Sequence, residues 1–292
     1  MSTQVIINAL IASGYYLLMG IGFSLIFRVC RFIKFTHGFM ATFGAYLSYV
    51  FMVCLEWNII VALPVAIFGT LIFSLCLHVL IYAPLRKQRT SSLVLMIASL
   101  GLYICMQNFL SMVFGDSTRT IRTGVVKEGI NVLGARITPI QIITICVSVV
   151  LVIALSIFMK RTKIGKSMRA VANDPELASI SGIASDRVIL WAFAIGSSLA
   201  GLAGILVALD VDMTPTMGMN ALMMGIVAVI VGGVGSFAGI ALAALLLGMA
   251  QHFGAWFIGS QWQDAIAFII LIVFLLFKPE GFLGKRIKAA TV

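Results

Sequence analysis

The polar residues that could do chemistry in this chain are few, and none of them forms a catalytic arrangement. The 292 residues include three histidines and five cysteines. No nucleophile stands beside a base, no two carboxylates are spaced for acid–base work, and no C-x-x-C or other metal-binding motif occurs. The cysteines are scattered and odd in number, which indicates packing residues rather than disulfides. The sequence therefore does not favour an enzyme.

The most structured polar segment covers residues 172–183. Asp174 is a good N-cap, because its side chain can accept hydrogen bonds from first-turn amides. Pro175 suits the first helical position, where no N–H is needed. Gly182 is a typical residue for ending a helix in the left-handed region. The pattern predicts a two-turn helix over residues 175–181, about 10 Å long.

A helix this short is not stable alone in water, so it must pack against something. Glu176 stands near the positive end of the helix dipole, where a carboxylate is favourable. Leu177 and Ile180, three positions apart, form a small apolar face. Two alternatives stay open at this point. The helix lies against the membrane or its own bundle, or it docks onto a cytoplasmic partner.

A second motif is a cluster of glycines over residues 232–239. It fits a G-x-G-x-x-A pattern, but no βαβ unit surrounds it and no acidic residue follows about 20 positions later, so nucleotide binding is not predicted. One interpretation is a broken helix that lines a cavity at membrane depth. The other is a plain turn between two helices. The residues assigned to the broken helix and pathway are Gly232, Gly233, Gly235, Ser236 and Gly239.

Two amides, Gln107 and Asn108, stand inside an apolar run. Lipid offers an amide no hydrogen bond, so both side chains should face the bundle or a translocation pathway. We take them as candidate polar residues of the pathway, with hydrogen bonding between helices as the alternative. His37 is expected at the inner boundary of a span, as a hydrogen-bonded anchor.

These motifs are set in a chain that is dominated by long apolar runs, with 61% hydrophobic residues and a mean hydropathy of +1.13. A hydrocarbon core about 30 Å thick needs roughly 20 apolar residues per helix, and in lipid each segment must satisfy its own backbone hydrogen bonds. We predict one all-α polytopic membrane domain over residues 1–292, with about eight spanning helices plus a short broken or re-entrant helix. The runs are 5–27, 39–55, 59–82, 93–114, 139–159, 189–209, 221–231, 240–257 and 262–277.

The charged residues lie between these runs and are distributed unevenly. Every second gap between the runs, counted from the gap that begins at residue 28, lies on the same side of the membrane. Together these gaps hold 16 of the 20 basic residues. The bias of Lys and Arg toward the cytoplasm predicts an outer N-terminus and a cytoplasmic C-terminus, provided that 221–231 and 240–257 run down and up. It also explains the net charge of +10 by contact with lipid headgroups rather than nucleic acid. Because no run contains a charged residue apart from Asp264, near the start of the last run, coupling to a proton gradient is disfavoured.

Several segments together resemble the permeases of branched-chain amino acid ABC transporters, in particular their shorter H-type subunit. The resemblance extends over almost the whole chain. The segment from Thr162 to Ala178 and the following Gly-Ile resemble the cytoplasmic coupling loop of that family, which here spans residues 160–188. The other matching segments are residues 35–38 with 44–46, residues 231–236 with Gly239, and the tail 278–284.

The resemblance implies a permease fold like that of the vitamin B12-type importers, in the bacterial inner membrane. It implies no bound cofactor, because ATP and magnesium would bind to two cytoplasmic ATPase subunits. A paralogous permease would complete the channel, and a periplasmic binding protein would deliver the amino acid. Joined by Leu177 and Ile180 from the apolar face, the residues expected to couple to the ATPase are Arg169, Asn173, Asp174, Pro175, Glu176, Ala178 and Gly182.

Two alternatives to this function remain. One is a permease of the same family that carries amides, urea or a sugar. The other, from a different class, is a stand-alone channel or secondary transporter. The predicted helix after Asp174 separates the two classes, because a self-sufficient channel does not require a docking helix.

Overall fold

The computed structural model describes residues 2–88, 90–121, 129–132 and 134–284. Within these ranges the chain is almost entirely helical, with one short β-hairpin. Some of the basic residues that predict the orientation lie outside the described residues; these are Arg89, Arg122, Lys127, Lys285, Arg286 and Lys288.

The helices are α1 (Ser2–Cys30), α2 (Thr36–Tyr49), α3 (Ile59–Leu77), α4 (Ala83–Lys87), α5 (Ser92–Phe114), α6 (Pro139–Arg161), α7 (Lys163–Asn173), α8 (Pro175–Ile180), α9 (Ser185–Asp210), α10 (Met217–Gly232), α11 (Phe237–Phe257) and α12 (Gln263–Phe277). Wider π-helical turns, Val50–Cys54 and His78–Tyr82, extend α2 and α3. A single 3-10 turn, Ser260–Trp262, precedes α12. The antiparallel hairpin consists of β1 (Ile130–Val132) and β2 (Ala135–Ile137), with Ile130 opposite Ile137.

Eight helical segments of the described chain are long and apolar enough to cross a membrane. A ninth apolar helix, α10, has only 16 residues. This pattern confirms the predicted all-α polytopic architecture. The helices α10 and α11 are consecutive and packed together across a turn of four residues.

The centre of the bundle is formed by α1 and α9, whose side chains are mostly buried. The helix α1 packs against α6, α9, α10 and α11, and α9 also contacts α2 and α3. By contrast, α3, α5, α6 and α12 are mostly uncovered and carry large exposed apolar side chains, such as Leu80, Met112 and Phe277. The molecule is therefore apolar both inside and outside, as a lipid-embedded bundle requires.

Small residues set the distance between the central helices. A methyl group on Gly204 of α9 would meet the backbone of Ala41 in α2, and one on Gly44 would lie 2.7 Å from the carbonyl oxygen of Gly201. In lipid no hydrophobic effect drives helices together, so close backbone approach at small residues supplies much of the attraction. The glycines of α9 thus hold the bundle itself together.

The change Gly204→Ala is expected to destabilise the protein, because α2 and α9 must separate to make room for the methyl group. Overpacking of this kind costs about 1–3 kcal/mol. Gly101→Ala in α5 is the matched control, since an added methyl there has no neighbour within 4 Å. Thermal unfolding in detergent should show a lower midpoint for the first variant alone. Equal midpoints would contradict the packing of α2 on α9.

Candidate functional site

The predicted short helix is present as α8, and its first turn is capped as the sequence indicates. Asp174 has extended backbone dihedrals, and its Oδ1 accepts from the amides of Glu176 (2.9 Å) and Leu177 (3.0 Å). Pro175 occupies the first helical position. The helix ends at Ile180, one residue earlier than predicted. Two of the amides that begin every helix without a partner are satisfied by one carboxylate.

The C-terminal end of α8 closes with a left-handed glycine. Gly182 has a φ of +81°, and its amide donates to the carbonyl of Ser179 at 3.0 Å. The next amide, of Ile183, donates to the carbonyl of Ala178, also at 3.0 Å. This pair of bonds is the Schellman arrangement. Both ends of α8 are therefore fixed by local hydrogen bonds, which stabilise a helix of only six residues.

The side chains of α8 divide between the protein and its surroundings. Ala178 is buried at 4% exposure and seats the helix on the bundle, where α8 contacts α7 and α9. Leu177 is 61% exposed and Ile180 is 85% exposed. The apolar face predicted from their spacing therefore points away from the chain. Packing of this face against its own bundle, one of the sequence-based alternatives, is excluded.

The helix α7 fixes the position of α8. Met168 and Val171 of α7 are almost completely buried, and the helix contacts α1, α6 and α9. Arg169 and Asn173, both expected in the coupling element, are exposed on the same helix. All nine predicted coupling residues thus lie in one loop, and all except Ala178 and the partly covered Pro175 are exposed.

The glycine stretch forms a turn between α10 and α11, which is the second of the two sequence-based interpretations. Gly233 and Gly235 have φ values of +93° and +92°, which favour glycine. The hydroxyl of Ser236 then caps α11 by accepting from the amide of Gly239 at 3.1 Å. Gly232 ends α10 with no room for a side chain beside Gly239. No helix is interrupted here, so this part of the prediction is corrected.

Two other segments cover this glycine turn. The guanidinium of Arg28, at the end of α1, donates to the carbonyl of Gly235 at 3.2 Å. From the C-terminal tail, the amide of Phe282 donates to Val231 at 2.8 Å and that of Leu283 to Gly232 at 3.2 Å. Arg28 also lines a small cleft together with residues of α6 and α7. The turn and the tail therefore lie at the same end of the bundle as α7.

The two amides of α5 are not buried inside the bundle. Gln107 is half-buried and Asn108 is exposed. The side-chain nitrogen of Asn108 donates to the carbonyl of Ile104 in its own helix, at 2.8 Å. Hydrogen bonding between helices of this chain is therefore not what Asn108 does. Asn108 therefore lies on the outside of a spanning helix.

A buried lysine is the feature that the sequence did not predict. Lys34 follows α1 in a gap between apolar runs, but its side chain is completely buried. Its Nζ donates to the hydroxyls of Ser74 (3.1 Å) and Ser197 (3.3 Å) and lies 4.1 Å from the centre of the Phe193 ring. Within the described residues, no carboxylate pairs with this ammonium.

The depth of the Lys34 ammonium follows from its two hydroxyl partners. Ser197 lies midway along the 26-residue α9, and Ser74 lies midway along the 29-residue span Ile59–Lys87. The charge-bearing group is thus level with the centre of two spans, although Lys34 itself stands in a gap between apolar runs. His37, the second residue of the candidate span Thr36–Cys54, is likewise buried, with Nε2 3.4 Å from the Met19 carbonyl of α1.

The cap of α8 can be tested on its own. Asp174→Ala should destabilise α8 by about 1 kcal/mol and speed hydrogen exchange at the amides of Glu176 and Leu177, which lose their acceptor. Asp174→Asn should keep slow exchange, because asparagine caps helices equally well. Mass-spectrometric hydrogen exchange of the peptide that contains α8 measures both. Unchanged exchange in the alanine variant would contradict the assigned cap.

Known proteins match this chain over nearly its whole length. The family described as "Branched-chain amino acid transport system / permease component" matches residues 5–275. The high-affinity branched-chain amino acid transport system permease protein BraD of Pseudomonas aeruginosa is 30% identical over 97% of this chain and 95% of its own length. The corresponding LivH of Escherichia coli K12 is 29% identical over the same shares. No solved structure matches. The chain therefore belongs to the family of permease components of branched-chain amino acid transport systems.

Proposed function

We propose that this chain is a permease subunit of an ATP-driven importer for branched-chain amino acids, and that α8 docks onto a cytoplasmic ATPase subunit. The observation that carries the docking is the outward apolar face of a helix capped at both ends. The names of the family and of the relatives support the transport of branched-chain amino acids over that of amides, urea or sugars. A stand-alone channel gives no reason for such a helix.

The shape of α8 fits insertion into a groove on a partner. Ile180 and Leu177 present two aliphatic side chains from one turn, and burying each completely would contribute about 1.5–3 kcal/mol. Helices that present a few apolar anchors commonly bind hydrophobic grooves. Because α7 is itself buried against three spanning helices, a force applied to α8 is transferred to the bundle rather than absorbed in a loose loop.

The distribution of basic residues supports an assignment of the two ends of the bundle to the two faces of the membrane. The helix α6 begins after the β-hairpin and ends beside α7, so the hairpin and α8 are separated by the 23 residues of α6. The positive-inside rule places the α7–α8 end in the cytoplasm and the N-terminus outside. On this basis we place the chain in the bacterial inner membrane, with the hairpin side facing a periplasmic binding protein.

The exposed face of α5 is the surface that we assign to the pathway and to a second permease subunit. Asn108 is exposed there, and an amide against lipid is costly. Gly101, about two helical turns before Asn108 and on the same face, is also exposed and would leave space for a neighbouring backbone. A paralogous permease packed on this face would shield both residues and Gln107. The glycine turn, by contrast, is covered by the C-terminal tail.

Ile180→Asp should reduce the amount of ATPase subunit that co-purifies with the permease at least ten-fold, because a carboxylate replaces an apolar anchor. The thermal midpoint of the permease should stay unchanged, since Ile180 is already 85% exposed. Ile130→Asp is the matched control, an exposed isoleucine in the hairpin at the other end. Normal ATPase recovery with Ile180→Asp would refute the docking assignment.

The energy source is expected to lie outside this chain. The purified permease, reconstituted alone in vesicles, should hydrolyse no ATP above empty vesicles, because ATP and magnesium bind to the partner subunits. Hydrolysis should appear when the ATPase subunits encoded with it are added. Colorimetric phosphate release measures both states. Sustained hydrolysis by the permease alone, at constant specific activity through further purification, would contradict this division of labour.

A further inference from the structure

The segment that joins α1 to α2, residues 31–35 and hereafter the connector, contacts the coupling loop at one end. The guanidinium of Arg31 donates to the carbonyl of Asn173 at 3.0 Å and to that of Ala172 at 3.4 Å. These carbonyls belong to the last turn of α7, where a positive charge is favourable. The residue after Asn173 is Asp174, which caps α8. The connector is therefore bonded directly beside the helix that we assign to ATPase docking.

At its other end the connector reaches the centre of the bundle. Lys34 is bonded to Ser74 of α3 and Ser197 of α9, and the two hydroxyls are themselves 2.5 Å apart. All three residues are completely buried. A buried ammonium without hydrogen bonds costs several kcal/mol. The three groups are therefore expected to move together or to exchange partners, and not simply to separate.

The connector itself is held rigidly between these two ends. Arg31 adopts the left-handed region with a φ of 57°, which is strained for a residue other than glycine. Phe32 is buried against the ring of Tyr82, with centroids 5.6 Å apart. Thr36 then bonds the hydroxyls of Tyr82 (2.9 Å) and Ser99 (3.2 Å). A short segment with a strained residue at one end and buried side chains at Phe32 and Lys34 transmits a displacement, whereas a flexible loop would absorb it.

We propose that the connector transmits the movement of α7 and α8 to the centre of the bundle, with Lys34 as the positioning residue that joins it to α3 and α9. This inference rests on the proposed docking of α8. When the ATPases close, α7 moves, Arg31 follows the carbonyls that it binds, and Lys34 shifts α3 relative to α9. The function of the buried lysine is thus mechanical coupling, and its two hydroxyl partners are the points at which the bundle is moved.

The test uses the complete transporter in proteoliposomes, with both ATPases and the binding protein, and measures the amino acid taken up per ATP hydrolysed. Lys34→Met keeps the length of the side chain and removes the ammonium. We expect unchanged ATPase co-purification and ATP hydrolysis, with uptake per ATP at least ten-fold lower. Lys87→Met, at an exposed lysine, is the matched control and should leave the ratio unchanged.

A second comparison separates transmission from simple internal support. Arg31→Ala should also lower the uptake per ATP hydrolysed. The expected decrease is only about three-fold, because the hydrogen bonds of Arg31 are exposed to solvent and therefore weaker than those of the buried Lys34. The double variant Arg31→Ala/Lys34→Met should be no worse than Lys34→Met alone, since both changes interrupt one connection. Effects that multiply would show two independent roles and overturn the proposal. A purely supporting role would instead lower the thermal midpoint, and would reduce uptake and ATP hydrolysis in proportion.

If Lys34→Met fails to assemble, Ser74→Ala removes the hydroxyl that joins Lys34 to α3 with little change in volume, and leaves Ser197 to accept from the ammonium. The ratio of uptake to ATP hydrolysis then decides in the same way, and an unchanged ratio overturns the proposal. A failure of the proposed docking of α8 can be distinguished from a failure of this inference. It would appear as normal ATPase recovery with Ile180→Asp, whatever the Lys34 variants do.

Discussion

The close approach of α2 and α9 is the constraint on which the rest of the structure depends. These helices meet where glycine leaves no side chain between two backbones, at Gly204 beside Ala41 and at Gly44 beside Gly201. Because lipid supplies no hydrophobic drive between helices, the packing has to be tight at these points. It also encloses the centre in which Lys34 is bonded to hydroxyls of α3 and α9.

The position of the coupling loop is a consequence of the same packing. The helix α7, in which Met168 and Val171 are buried, packs against α1, α6 and α9. It can therefore hold α8 outward with only Ala178 turned inward. The residues buried in α7 fix the geometry of this loop, while Leu177 and Ile180 stay exposed and are, in the function that we propose, the contacts to a partner. This division is what a helix needs in order to transfer force between two proteins.

Features governed by neighbours in the sequence could be predicted, and features governed by distant contacts could not. Asp174, Pro175 and Gly182 determine the ends of α8 by local hydrogen bonds, so a linear pattern was sufficient. Whether the glycine stretch breaks a helix or joins two depends on the tail and Arg28, which lie far away in the chain. The burial of Lys34 was not predicted because a hydropathy pattern places any residue between two apolar runs at the membrane surface. The pattern does not show that the side chain reaches into the bundle. The one available signal was the short apolar run of α2, which starts deep in the bundle.

The most direct measurement is site-specific photo-crosslinking from position 177 in the assembled transporter. The side chain of Leu177 is 61% exposed on α8, and a photoreactive amino acid there reports whatever protein lies within a few ångströms. The account predicts a covalent product with an ATPase subunit, at high yield, and none from a probe at Ile130 in the hairpin. Crosslinks from position 177 only to lipid or within the permease would contradict the claim that α8 is the contact with the ATPase.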